Sequence, residues 1–454
     1  MLLPFFAYSA SAQEPEYPNV LLVVADDLGW RQMGCYGSDY YQTPHLDSFA
    51  KSGVKFTNAY AAAPVCSPTR AALFTGKNPG RLHITNFIPE PGIADEFSDQ
   101  KLQIPEWQKY LPLEEITLAE VLHKSKYRTA LFGKWHLSAS KYGNMSLPFN
   151  PDKQGFDETF LTFKPSRNMP LSPWQKPELD AHSTDTITNR AIEFIRKKDN
   201  HPFFVVVSYD AVHNPLMEKE ETIKRYRESE GNGKPEDNPV LAAMIERLDL
   251  AFGRLINSLT ANEILGNTIV IFISDNGGLE NDASQSPLKR GKGWLYEGGI
   301  RVPMMVAWNN KVDQGQVCSV PVITEDIFPT ILELAGIKYP IKNMDGTSIV
   351  PLLRGGKPLK RRTLFWNFPH YHYGPPSAAV RKDNMKLIEW YEKSLSGEQK
   401  TAFELYDLET DPGETKNLAD SLKFKTKKLA GELQKWRQKI SAQIPRVGEI
   451  SINQ

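Results

Sequence analysis

The chain has 454 residues, and its 54 Lys and Arg balance its 54 Asp and Glu to a formal net charge of +0. A neutral chain lacks the basic field that nucleic acid requires, so any anionic ligand must be held by a few placed cations. Forty per cent hydrophobic residues suffice for a large core plus a smaller satellite, and three scattered cysteines, Cys35, Cys66 and Cys318, exclude a disulfide framework.

Residues 1–12 are apolar and end in Ala10-Ser11-Ala12 before Gln13-Glu14-Pro15. That is how a secretory signal peptide ends, although a positive leading region is missing, and it predicts a periplasmic or secreted protein. No other run approaches the ~20 apolar residues of an integral membrane segment. Residues 20–25 then read as a short buried strand that ends in Asp26-Asp27.

Cys66-Ser67-Pro68-Thr69-Arg70 runs directly into the helical pattern Ala71-Ala72-Leu73-Phe74-Thr75-Gly76. Pro68 suits a first helical position, and a helix start with Arg70 one turn on is a place for a tetrahedral oxyanion, sulfate or phosphate. Residues 88–107 read as a surface loop and residues 118–122 as helix. A second strand, 129–132, ends in Gly133-Lys134-Trp135-His136. The Pro-rich stretch 164–174 predicts another loop, and Arg167, Trp174 and His182 are expected to line the mouth of a site.

Three further strands follow, at 203–209, 268–274 and 302–308, with an amphipathic helix at 241–259. The first two end in Asp210-Ala211-Val212-His213-Asn214-Pro215 and Asp275-Asn276-Gly277-Gly278, and Lys292 lies in the glycine-rich Lys289-Arg290-Gly291-Lys292-Gly293-Trp294. Strands alternating with helices predict an α/β fold with a large, mostly parallel sheet covered on both faces. In such sheets ligands bind at the carboxyl ends of strands, so four polar clusters at four strand ends would converge on one place.

Asp26, Asp27, Asp275 and Asn276 offer only oxygen, which selects a hard divalent cation, Ca2+ first and Mg2+ second. One Asp pair alone would read as a helix cap or a solvated turn. Lys134, His136, His213 and Lys292 each also have an ordinary structural reading as a satisfied histidine or a solvated loop charge.

A second unit is expected after the basic stretch at 354–358, dividing the chain into 13–355 and a small α+β domain at 356–454. It carries strand-like pieces at 363–368, 377–381, 386–390 and 404–408 and a final helix at 418–440. Its segment Trp366-Asn367-Phe368-Pro369-His370-Tyr371-His372-Tyr373 reads equally as part of a saccharide subsite, with His370 and His372 as contacts, or as a half-buried strand sealing an interface.

Taken together, Asp26-Asp27, Cys66 to Arg70, Gly133-Lys134-Trp135-His136, His213-Asn214-Pro215, Asp275-Asn276-Gly277 and Gly291-Lys292-Gly293 through Arg301-Val302-Pro303 resemble, in order, the motifs of type I sulfatases. These belong to the alkaline phosphatase superfamily, and the pattern is most similar to bacterial carbohydrate sulfatases. The resemblance implies that a maturation enzyme converts Cys66 to formylglycine, and that Asp26, Asp27, Asp275, Asn276 and the modified residue bind calcium. It further implies that Arg70, Lys134 and Lys292 hold sulfate oxygens, that His213 or Lys292 protonates the leaving alcohol, and that His136 is the base that regenerates the aldehyde.

A sulfated sugar, galactose or N-acetylgalactosamine sulfate cleaved exo, is the expected substrate. A phosphonate or phosphodiester hydrolase is the alternative within the superfamily, and a calcium-dependent glycan-binding protein is the reading if Cys66 stays a thiol. Arg290 departs from the pattern by standing where many relatives have glycine, either as a rim cation or facing solvent.

Overall fold

The computed structural model describes residues 17–89, 100–138, 148–162, 182–229, 238–340, 342–355, 359, 362–397 and 401–448. The expected leader at 1–12 and the expected mouth residues Arg167 and Trp174 lie outside them, as do residues 356–358 beside the expected domain boundary. The strands in chain order are β1 (Asn19–Ala25), β2 (Val54–Tyr60), β3 (Leu102–Gln103), β4 (Arg128–Gly133), β5 (Glu158–Leu161), β6 (Phe203–Ser208), β7 (Thr268–Ser274), β8 (Arg301–Ala307), β9 (Gln316–Cys318), β10 (Val322–Ile323), β11 (Thr363–Phe368), β12 (Ser377–Lys382), β13 (Met385–Trp390), β14 (Phe403–Asp407) and β15 (Arg446–Val447).

Nine of them form one sheet in the order β10-β2-β8-β7-β1-β6-β4-β5, with β9 beside β2. The central strand β1 shows why an unbroken apolar run makes a buried strand. Val20, Leu22 and Val24 point into one core layer and Leu21, Val23 and Ala25 into the other. Each such residue is essentially inaccessible, worth ~1.5–3 kcal/mol of burial for a Val or Leu, so neither face of the strand tolerates a polar substitution. Pro239–Ala261 covers the second face with Leu241, Ile245, Leu248, Phe252, Leu255 and Leu259.

Strands β7, β1, β6, β4 and β5 are mutually parallel, which brings the carboxyl ends of β1, β4, β6 and β7 side by side. The fifth strand read from the sequence differs in direction: β8 runs antiparallel between β7 and β2, because the chain leaves β7 and returns at the same end of the sheet. No crossover helix intervenes. The segment between Ser274 and Arg301, which carries Lys292, is therefore held over the carboxyl ends of the parallel strands.

The second sheet is antiparallel, β11-β12-β13-β14. One face, through Trp366, Ala379 and Ile388, packs on Tyr60, Val65, Leu295 and Ile300 of the segments leading to the site. The other face takes Leu429 and Leu433 of the terminal helix Lys423–Ile440. That helix starts five residues later than its hydrophobic pattern predicts, because Leu422 breaks the helical backbone at φ −114°, ψ 47°, after a separate turn closed by Leu422 N to Leu418 O at 2.9 Å. Among the described residues no helix is long and apolar enough to cross a membrane.

Candidate active site

Backbone bonds join the four strand ends. Asp26 N donates to Ala211 O (3.0 Å), Val212 N to Asp26 O (2.7 Å), Lys134 N to Ser208 O (2.8 Å) and Asp275 N to Ala25 O (3.1 Å). Gly133 must be glycine here: its φ is +109°, and a Cβ would stand 1.8 Å from Ser208 O. Lys292 N is bonded to Gly278 O (2.9 Å) and Gly293 N to Pro64 O (2.9 Å), so the Lys292 loop touches both the Asp275 turn and the approach to Cys66.

The Cys66 helix spans Cys66–Thr75, and every residue in it is buried. Pro68 is its third residue rather than its first, still within the turn whose N–H groups have no helical acceptor. Thr69 fixes the start, its hydroxyl accepting from Ala63 N at 3.1 Å. Cys66 Sγ lies 3.4 Å from Asp26 Oδ1. Burial, and then Asp26 and Asp275, push the thiol up to about 12, so this is a protonated thiol and not a thiolate nucleophile. Cys35 and Cys318 are free, as expected from their scatter.

Arg70 is only 1% exposed and is already engaged. Its Nε and Nη2 reach Asp275 Oδ2 at 2.9 and 2.8 Å, and its Nη1 donates to Lys134 O (3.0 Å) and Ser208 Oγ (2.6 Å). Lys134 pairs with Asp26. Lys292 reaches both Asp27 oxygens, at 2.7 and 2.8 Å, and Asn276 Nδ2 donates to Asp27 Oδ1 at 2.7 Å. Burial alone would raise both carboxyls; Lys134, His213, Arg70 and Lys292 hold Asp26 well below its ordinary value, and Lys292 leads in holding Asp27 below its own. Asp275 goes the other way, to about 6, because burial and the Asp26 charge outweigh Arg70.

Three carboxylates thus balance three cations in one buried pocket. A dication added to the carboxylates leaves a positive surplus, which is the charge a tetrahedral oxyanion needs. The residues fit such an ion. Ligand atoms of Asp26, Asp27, Cys66 and His213 lie within 4.8 Å of one another, and Asn276 Oδ1 is buried without a partner among the described residues. Asp275 meets this group through its Oδ1, 3.3 Å from Asp27 N. His213 in the cluster is a departure from the all-oxygen set read from the sequence.

The histidines divide by what holds their rings. His213 Nδ1 bonds Asn214 O at 2.7 Å, which turns Nε2 toward Asp27 Oδ2 at 3.6 Å. His136 Nε2 bonds Ile88 O at 2.9 Å and so carries the hydrogen, leaving the buried Nδ1 lone pair unpartnered among the described residues. Burial, with Lys134 and Arg70 nearby, keeps that ring neutral. His182 does not line a mouth: it is 4% exposed and its Nε2 donates to His213 O at 2.9 Å, bracing that residue from behind.

His370 is likewise fully buried, against the Thr85 hydroxyl at 2.7 Å and the Trp107 ring, and so seals the interface. His372 and Tyr373 sit against Gly293, where a Cβ would stand 2.4 Å from His372 Nδ1. Tyr373 is 51% exposed. Arg290 has φ +60°, stacks over Trp294 at 4.8 Å and faces Glu280 at 3.5 Å, so its guanidinium is partnered at the surface. Sequence reasoning missed Ser208, and in the aromatic segment ending at Tyr373 it named His370 and His372 rather than the exposed Tyr373 as contacts. Ser208 is one small residue at the end of an apolar strand, and nothing local marks it as a partner of Arg70.

A family model described as sulfatase matches residues 18–337, and one described as N-sulphoglucosamine sulphohydrolase, C-terminal, matches residues 290–442. A sulfatase of Formosa agariphila is 30% identical over 494 residues, covering 92% of this chain and 87% of that protein. The N-acetylgalactosamine-6-sulfatase of Homo sapiens is 31% identical over 385 residues, 78% of this chain and 69% of that one. Among solved structures, Ps i-CgsB in complex with k-i-k-neocarrahexaose is similar with a TM-score of 0.77 and 29% identity over 92% of each chain.

Proposed function

The chain belongs to the sulfatase family and hydrolyses sulfate esters, and from that premise we propose that its ester is carried by a saccharide, that Cys66 is matured to formylglycine and that the resident cation is Ca2+. The observation that carries the reading is the charge-balanced pocket around an unreactive Cys66 thiol. A buried thiol pushed up to about 12 beside a carboxylate is a poor nucleophile at neutral pH, which supports conversion of the side chain before it attacks sulfur. Hard oxygen donors on Asp26, Asp27 and Asn276 favour calcium, with magnesium second.

Asp26, Asp27, Asp275, Asn276 and residue 66 would hold the cation, which polarises the attacking oxygen when bound. Arg70, Lys134 and Lys292 supply positive charge where the transferring sulfate gathers negative charge. Arg70 is fixed by Asp275 and Ser208, so it contributes as a rigid charge rather than a moving clamp. His136, neutral with Nδ1 open, takes the proton as the product sulfate departs. Burial and Lys292 push His213 down to about 3, and Asp27 keeps Lys292 protonated; His213 or Lys292, both facing Asp27, donates to the leaving alcohol.

The saccharide reading is supported by the half-exposed Tyr373 beside Gly293, since sugars stack on exposed aromatic faces, and by the carbohydrate-bound relative. Galactose or N-acetylgalactosamine sulfate remains our choice, on the likeness to an N-acetylgalactosamine-6-sulfatase. Export to the periplasm or beyond, and a formylglycine-generating partner, complete the proposal. Replacing Tyr373 by Ala is expected to lower kcat/KM about tenfold on a sugar sulfate and less than about twofold on a small aryl sulfate. Equal losses on both, or none, refute the stacking role.

A further inference from the structure

Lys386 lies on β13 of the small sheet, is 0% exposed, and pairs at 2.9 Å with both Glu297 Oε1 and Glu414 Oε1. Its two partners come from distant segments. Glu297 begins the short helix before β8, and Glu414 is in the turn after β14. Glu414 Oε2 also accepts the Glu297 N–H at 2.7 Å, and Glu297 Oε2 accepts the Tyr60 hydroxyl at 2.6 Å, with Arg301 at 3.7 Å. Burying three charges is expensive, and a well-packed apolar trio is often as stable, so stability alone is a weak account of them.

What the trio does hold is a loop. Lys289 Nζ donates to Glu414 O at 3.1 Å, and Gly298 N closes the loop onto Lys289 O at 3.0 Å. Inside this ring Gly299 has no room, a Cβ being 2.1 Å from Trp294 O. Lys292 projects from the same ring onto Asp27. Glu297 therefore ties the small sheet to the Lys292 loop and, through Tyr60, to the end of the strand that leads to Cys66.

We propose that Lys386 is a positioning residue of the sulfatase reaction, fixing through Glu297 and Glu414 the loop that sets Lys292 against Asp27. This rests on the role given to Lys292 above. The small sheet is then part of the catalytic device, although none of its charged trio touches the reacting atoms.

The test is a double-mutant cycle on protein co-expressed with a maturation enzyme, with turnover of an aryl sulfate normalised to formylglycine content. Lys386→Met/Glu414→Gln removes one charge of each sign and leaves Glu297 with Tyr60 and Arg301. It is expected to keep Tm within about 3 °C and to lower kcat about 30-fold in the native background. In a Lys292→Ala background the same pair should cost less than about threefold, because the residue it positions is gone.

The same loss in both backgrounds, or no loss in the first, overturns the proposal. Should the pair fail to fold, Glu414→Gln alone is carried through the cycle. A loss of about fivefold that vanishes with Lys292→Ala supports positioning, and an additive loss or none refutes it. Full turnover by Lys292→Ala alone would instead remove the role of Lys292, and the proposal with it, identifying the failure as that of the parent reading.

Discussion

Asp27 occupies the left-handed region at φ +60°, a conformation that Asp and Asn tolerate better than most residues, and it meets Lys292, Asn276 and His213 at once. The residue types at such a point were legible: two acids after a buried strand, and a lysine in a glycine loop. Their pairing was not, because Lys292 lies 265 positions away and only the antiparallel return of β8 brings it back. His182 was misread for a related reason, since a histidine after a Pro-rich loop gives no local sign that its ring will brace His213. At this scale the buried, protonated Cys66 makes a clear prediction. Burial also raises the Cys35 and Cys318 thiols, so exposure alone separates the three: in protein made without maturation, a thiol reagent should modify the half-buried Cys35 and Cys318 before Cys66, and reach Cys66 only on unfolding, and prompt labelling of Cys66 in the native chain would refute its burial.

Elements were readable where packing is two-sided. Strands β1, β4, β6 and β7 are unbroken apolar runs, whereas β5 is half-buried along its length and β10 is two residues long, too polar or too short to register. The turn Thr324–Asp326 following β10 carries a stability switch. Glu325 is buried, and burial followed by the Asp326 charge raises its carboxyl from 4.5 to about 8, against the Asn78 amide. Folded chains then hold a proton that unfolded chains release, so its contribution is present at low pH and is lost as pH rises through about 8. Glu325→Gln mimics the protonated form and should raise Tm at alkaline pH by a few degrees while flattening the pH dependence between about 5 and 8. A Tm–pH curve parallel to that of the parent would contradict this.

For the whole molecule, neutrality and function are two sides of one arrangement. The chain carries no net charge, and the cations proposed to act on sulfate are internally balanced by the carboxylates that would receive a metal. Substrate attraction is therefore generated inside the pocket, and the small sheet, whose strands were legible but whose reach to Glu297 was not, packs on the segments that lead to it. The most direct test is peptide mass spectrometry on residues 56–70 from protein made with a maturation enzyme, paired with turnover of a sulfate ester by the same sample. An aldehyde at residue 66 is expected, with activity proportional to its fraction. A sample that turns over sulfate esters with residue 66 entirely a thiol, or that is fully converted yet inert toward aryl and sugar sulfates alike, would contradict it.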